Sequence, residues 1–212
     1  MATKDKLVYF DVYARGEPIR MLYAVAGKEL DDKIVGEEEW PTVKEGTPLG
    51  QLPTFECEKG TLVMSNSIAR YVAKKFGLSG GSIWEEALND MVVETSIDCF
   101  EAVTKKIYLW MLFKMQPEPE DSTKIKEEVK GIFVKSMNFI QSVAEKRGKK
   151  FIIDDKVSLA DVWLFNTLQF SRKAFPDMME LTPWVKQFTE RMESDASLKK
   201  YLESRPASKY EI

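Results

Sequence analysis

Hydrophobic positions recur along this chain with two different periods, and the change falls near residue 78. Before it, short apolar runs alternate with amphipathic stretches. "KLVYFDV" is rich in β-branched and aromatic residues and reads as a strand. "GEPIRMLYAVAGK" follows as a helix: Pro18 suits a first turn, Ile19, Leu22, Tyr23 and Ala26 recur at helical spacing, and Gly27 ends the segment. "LDDKIV" predicts a second strand, and "EEEWPTVKEG" a short, interrupted segment around Trp40. "LPTFECEKGTLVM" divides into two strands about a Lys59–Gly60 turn, an antiparallel hairpin. "SNSIARYVAKKFG" predicts a second helix, with Ser65 as its cap, Ile68, Val72 and Phe76 on one face and Gly77 at its end. The order is βαβ then ββα, a small α/β sandwich.

"LSGGS" has the composition of a flexible connection, and strand signals vanish after it. Val92, Cys99, Val103, Ile107 and Met111 form one apolar stripe of a long helix, with Glu94, Asp98, Glu101 and Lys105 on the polar stripe beside it. "QPEPEDS" breaks that helix and leads into another carrying Ile125, Val129, Ile132, Phe133 and Ile140. In "DDKVSLADVWLF", Ser158 stands three residues before Asp161, a capping-box start for a further helix. Two shorter helices complete the chain. The predicted organisation is an α/β domain over residues 1–78, a linker over 79–83 and an all-α helical domain over 84–212.

Composition narrows the chemistry. The apolar and charged fractions, 44% and 31%, are those of an ordinary globular protein. A net charge of −3 argues against nucleic acid or an anionic membrane as partner. The start, "MATKDKLVYF", lacks a signal-peptide core, and the longest apolar run, "IYLWMLF", is bracketed by lysines and far too short to span a bilayer, so a cytoplasmic protein is expected. Cys57 and Cys99 form no metal-ligand spacing. With no histidine in the chain, neither a Ser-His-Asp nor a Cys-His device is available, and no metal site is expected. A nucleophile would have to arrive with a substrate.

"YF" with Arg15 and Glu17, "DDKIV…EEEWPTVK", "GQLP", "SNSIARYVAKKFGL", "ETSIDCF", "SLAD" and the terminal "SRPA" stand in order along the whole chain. Together they resemble the cytosolic glutathione transferases, most closely the sigma class of flatworm and mollusc enzymes and haematopoietic prostaglandin D synthase. The resemblance implies a thioredoxin-like N-terminal domain, a helical C-terminal domain, glutathione as co-substrate and a homodimer. It makes Tyr9 the donor of a hydrogen bond to the thiolate of glutathione, helped by Arg15. A free thiol titrates at about 8.5, and lowering that by roughly two units takes about 2.7 kcal/mol in favour of the anion. One hydrogen bond to a charged acceptor contributes about 1.5–3 kcal/mol, so a neutral phenol is sufficient in principle.

By the same resemblance, Trp40, Lys44 and Gln51 grip the glycine end of glutathione. Leu52, before a cis Pro53, pairs its backbone with the cysteinyl unit. Ser65 and the backbone of Met64 receive the γ-glutamyl carboxylate at a helix start, and Asp98 reaches the γ-glutamyl amine across the dimer. Phe10, Tyr13, Phe100 and Lys105 are expected to line the electrophile pocket. Two positions depart from the sigma pattern. Met64 stands where a Gln or Glu is usual, and Tyr13-Ala14 where Arg-Gly is usual. The implied activity is conjugation of glutathione to electrophiles. A catalytically weak, lens-crystallin-like protein and a prostaglandin D synthase-type isomerase are the alternatives.

Overall fold

The computed structural model describes residues 4–209. Strand β1, Lys6–Phe10, runs parallel to β2, Asp31–Val35, and antiparallel to β3, Thr54–Cys57, which pairs with β4, Gly60–Val63. The sheet order is β2-β1-β3-β4, with Tyr9 opposite Ile34 and Leu7 opposite Phe55. Helix α1, Glu17–Val25, carries Pro18 in its first turn, and α2, Trp40–Glu45, fills the interrupted segment before β3. Helix α3, Ser65–Phe76, ends at Gly77, whose φ of 68° requires the left-handed freedom of glycine. Helices α1 and α3 pack together, and Leu7, Ile19, Leu22, Phe55, Ile68 and Val72 are all fully buried. Each such side chain contributes about 1.5–3 kcal/mol of transfer free energy. These elements lie where the apolar periodicity predicts them.

The cap of α3 differs from expectation. Met64, not Ser65, is the N-cap residue: its carbonyl accepts the Ile68 N–H at 3.0 Å, and Ser65 is already the first helical residue. The backbone leaves β4 through a φ of 69° at Met64, which turns the chain one residue earlier than a serine cap would.

The chain divides into two compact units. The first runs up to Leu78 and takes in the segment from Ser194 onward; the second is Ser79–Glu193. The predicted boundaries placed everything after residue 83 in the helical domain, whereas α9, Ala196–Ser204, packs on α1.

In the second unit, α4, Ile83–Val103, is capped by Ser82, whose Oγ accepts the Glu85 N–H at 3.2 Å. The apolar stripe predicts one continuous helix through Met111. The chain instead widens into a π-turn at Thr104–Tyr108 before α5, Leu109–Met111. The wider turn buries Ile107 and Tyr108 while leaving Lys105 and Lys106 exposed. The Tyr108 hydroxyl donates to the Phe170 carbonyl. Helix α6, Ser122–Arg147, buries Val129, Phe133, Met137 and Ile140. Helix α7, Leu159–Ser171, starts with the predicted capping box of Ser158 and Asp161 and is buried almost all round. Helix α8, Pro183–Ser194, closes this unit with Val185, Phe188 and Met192 inside.

The two cysteines have different surroundings. Cys99 is fully buried on α4, and burial pushes its thiol up to about 11; Cys57, at the end of β3, is half-buried. One thiol per native chain is therefore expected to react with an aromatic disulfide at neutral pH. Cys57→Ser should abolish that fast phase, and Cys99 should react only after denaturation.

Candidate functional site

Tyr9 stands near the end of β1, where a strand must hand over to a turn. Its side chain is only 5% exposed, and its hydroxyl oxygen accepts the Arg15 backbone N–H at 3.2 Å. An oxygen already accepting that hydrogen bond has its own proton left to donate elsewhere. Burial raises the phenol's pKa; the Arg15 hydrogen bond and the charges of Arg15 and Arg20 oppose that rise without cancelling it. Tyr9 is therefore a neutral donor throughout the physiological range. The Arg20 guanidinium carbon lies 5.8 Å from the centre of the Tyr9 ring.

Gly16, at the N-cap of α1, is the close neighbour that fixes the ring. A Cβ at this position would fall 2.4 Å from Tyr9 Cδ1 and 2.9 Å from Cγ. Gly16→Ala is expected to displace the ring, lower turnover at least tenfold and cost about 1–3 kcal/mol of stability, as overpacking of a core does. Chemical unfolding alongside steady-state rates checks this.

Beside this turn, Arg15, Leu49, Gln51, Leu52, Pro53, Val63, Met64 and Ser65 line a cavity of about 240 Å³. The Leu52–Pro53 peptide is cis. Ser65 is buried at the first turn of α3, where unpaired amides and the helix dipole favour an anion. Met64 is 57% exposed, and its thioether has no hydrogen-bond donor to offer. The cavity thus combines a cation, a strand-like backbone edge and a positive helix end, all in the first compact unit.

Six of the expected glutathione contacts converge there: Arg15, Gln51, Leu52, Pro53, Met64 and Ser65. Tyr9 joins them through Arg15. Trp40 is half-buried and meets Phe10 edge-on at 5.0 Å, outside the lining. Lys44 is exposed, and its stem passes over Gly50, 3.4 Å from where a Cβ would be. Asp98 is exposed on α4 in the second unit. Phe100, expected to line the electrophile pocket, is 1% exposed instead and stacks on Phe170 at 4.3 Å in the core of that unit. Lys105 is exposed and paired with Glu101 at 3.0 Å. The Tyr13 hydroxyl donates to the Pro206 carbonyl.

Several residues beside the site escaped the sequence reading. Leu49 and Val63 line the cavity. Arg20 is buried on α1 beside Glu17, which the sequence singles out, and its Nε donates to Asp32 on β2 at 2.8 Å. Burial opposes the charge on Arg20, but Glu17 and Asp32 hold its pKa above the ordinary value. The available signal was two opposite charges three residues apart on the face of α1 that also carries apolar residues.

Residues 104–205 match the family description "Glutathione S-transferase, C-terminal domain". Over 207 residues the chain is 31% identical to a probable glutathione S-transferase 8 of Caenorhabditis elegans, covering 97% of this chain and 98% of that one. It is similar in structure to monomeric Na-GST-3, a glutathione S-transferase from the hookworm Necator americanus. That match has a TM-score of 0.86 and 31% identity over 98% of this chain and 100% of the other. It is also similar to a structure described as prostaglandin synthase D of Nilaparvata lugens, at a TM-score of 0.82 and 26% identity over 96% and 99% of the two chains.

Proposed function

The chain belongs to the glutathione S-transferase family, and on that premise we propose that Tyr9 keeps the sulfur of bound glutathione anionic for attack on electrophilic carbon. The carrying observation is the Tyr9 hydroxyl, buried and accepting the Arg15 N–H, which leaves its own proton to donate to a bound sulfur. The protein is a glutathione transferase with glutathione as co-substrate, and its fold is a thioredoxin-like domain with an all-helical one.

Within the cavity, the strand-like backbone at Leu52 pairs with the cysteinyl unit of the tripeptide. Ser65 and the start of α3 take the γ-glutamyl carboxylate. Gln51, Lys44 and Trp40 hold the glycine end, and Phe10 and Tyr13 border the electrophile. No side chain acts as a strong base. Rate comes from holding the thiolate next to the electrophile and from the lowered cost of ionising it. Met64 supplies no side-chain polar contact to the γ-glutamyl group, which weakens glutathione binding by about 1 kcal/mol relative to a hydrogen-bonding residue.

The test is conjugation of a chlorodinitrobenzene substrate with retention on immobilised glutathione. Loss of both in a folded protein would favour the crystallin-like role. The likeness to the Nilaparvata structure supports a second reading, sigma-class prostaglandin isomerisation, which rapid production of prostaglandin D from its endoperoxide would establish. We also propose a two-fold dimer in which Asp98 reaches a neighbouring site. The description of the hookworm relative as monomeric makes sedimentation at working concentration the direct check. Among the described residues no helix is long and apolar enough to cross a membrane.

A further inference from the structure

Glu17 is charged yet 1% exposed, and its partners come from both ends of the chain. Its Oε1 accepts from Arg205 Nη1 at 2.6 Å and from the Tyr201 hydroxyl at 3.0 Å, while Oε2 faces Arg20 Nη1 at 3.5 Å. Burial and the Glu17 charge both raise the pKa of Tyr201, so it remains a donor. The Arg205 guanidinium lies 4.1 Å over the Tyr13 ring, and the Tyr13 hydroxyl donates to the next carbonyl, that of Pro206. The stretch that follows α9 therefore grips the turn between β1 and α1 at residue 13 and residue 17.

That turn does not hold itself in a relaxed shape. Ala14 has a φ of 23°, a conformation disfavoured for a residue with a Cβ. Such geometry persists where the surroundings over-determine it. From the turn and α1 themselves, the Glu17 N–H donates to the Tyr13 carbonyl at 2.8 Å, and Arg20 Nη1 to the Val12 carbonyl at 3.2 Å. The next residue along, Arg15, presents its N–H to the Tyr9 oxygen.

We propose that Arg205 is a positioning residue for the thiol chemistry: locked on Glu17 and Tyr13, it fixes the Ala14–Arg15 backbone so that the Arg15 N–H stays aimed at the Tyr9 oxygen. That N–H draws charge from the phenol oxygen and makes its hydroxyl a stronger donor to an anion. With the clamp released, Ala14 relaxes, the Arg15 N–H swings away and the donor weakens. Nothing in this touches substrate directly. The inference rests on the reading of Tyr9 as the thiolate donor.

The experiment uses the full chain as wild type, Arg205→Met, Arg205→Lys, Tyr13→Phe, Tyr9→Phe and the double variant Tyr9→Phe/Arg205→Met. Thiolate absorbance of bound glutathione is followed against pH, with kcat, KM for glutathione and thermal midpoint. In Arg205→Met the bound thiol should ionise roughly 0.5–1 unit higher and kcat fall roughly three- to tenfold, the equivalent of one neutral hydrogen bond. KM should change less than twofold. Arg205→Lys should recover most of the shift, and in the Tyr9→Phe background Arg205→Met should add none. Tyr13→Phe, which loosens the clamp while keeping the ring under the guanidinium, should move ionisation the same way by less. It decides the matter if Arg205→Met fails to fold. A lowered midpoint with unchanged thiol ionisation in both Arg205→Met and Tyr13→Phe overturns the proposal and makes Arg205 merely structural. Unchanged ionisation in Tyr9→Phe overturns the underlying reading of Tyr9 instead.

Discussion

Tyr9→Phe is expected to leave the fold intact, lower kcat roughly 10- to 100-fold and move ionisation of bound glutathione up by roughly one to two units. That range is the effect of removing one hydrogen bond to an anion, about 1.5–3 kcal/mol. The structure supports intact folding: only the hydroxyl is lost, and the ring keeps its packing against Gly16 and its place over Arg20. The pH dependence has a definite sign. Because burial raises the Tyr9 pKa, the phenol remains protonated while the thiol titrates, so the wild-type rate rises with pH as thiolate forms and does not fall through loss of the donor. In the variant the same rise should occur at higher pH, and at sufficiently alkaline pH the two rates should converge. Stopped-flow conjugation across pH 5.5–9.5, a range chosen to bracket the ~8.5 of a free thiol, measures both. An unshifted profile would mean that another group supports the sulfur.

The second large effect concerns stability and lies far along the chain. Asp161 is fully buried at the start of α7, where Oδ1 accepts the Ile152 N–H at 3.0 Å and Oδ2 accepts the Ser158 N–H at 2.9 Å and the Ser158 hydroxyl at 2.5 Å. Asp161→Ala removes the cap and leaves three buried donors without an acceptor. A lost cap costs about 1 kcal/mol and each orphaned buried donor about 1–3 kcal/mol before relaxation, so a total of about 3–5 kcal/mol is expected. For a chain of this size the thermal midpoint should fall roughly 6–20 °C. Conjugation per folded molecule should be unaffected, because no residue of the cavity depends on this cap.

Asp161 also predicts a pH effect on stability. Burial raises its carboxyl to about 6 from the ordinary 3.8, despite the three donors. The folded state therefore binds the proton more tightly than the unfolded state between those values. Its favourable contribution is complete below about 3.8 and is lost as pH rises through 6. Measured against Asp161→Asn, which does not titrate, the unfolding free energy of wild type should increase as pH is lowered from 7 to roughly 4.5. A flat difference across that window would place the carboxyl's ionisation lower.

Much of the fold was legible because its elements belong to local patterns. The β1–turn–α1 segment shows in the change of period around Pro18, the β3–β4 hairpin in its Lys59–Gly60 turn, and the α7 cap in the spacing of Ser158 and Asp161. The identification of Tyr9, Arg15 and the Gln51–Pro53 edge came from resemblance, and the structure brings most of that set around one cavity. The local patterns failed where two arrangements differ by a single residue. A serine followed by a helix reads as its cap, yet the left-handed turn at Met64 moves the start by one. An apolar stripe reads as continuous through a π-turn, because one extra residue preserves the sequence pattern approximately while rotating the helix face.

What the sequence alone determined is the set of elements and most of their ends, since periodicity, capping and turn chemistry act over a few residues and leave their record in local order. Only the tertiary structure decided that Phe100 belongs to a core and that Met64, not Ser65, caps α3. It also decided that Glu17 meets Arg205, 188 positions away, across the turn that aims Tyr9. Contacts of that kind arise when whole elements pack. The spacing of residues along a chain carries no measure of which distant side chain fills a buried charge's last hydrogen bond.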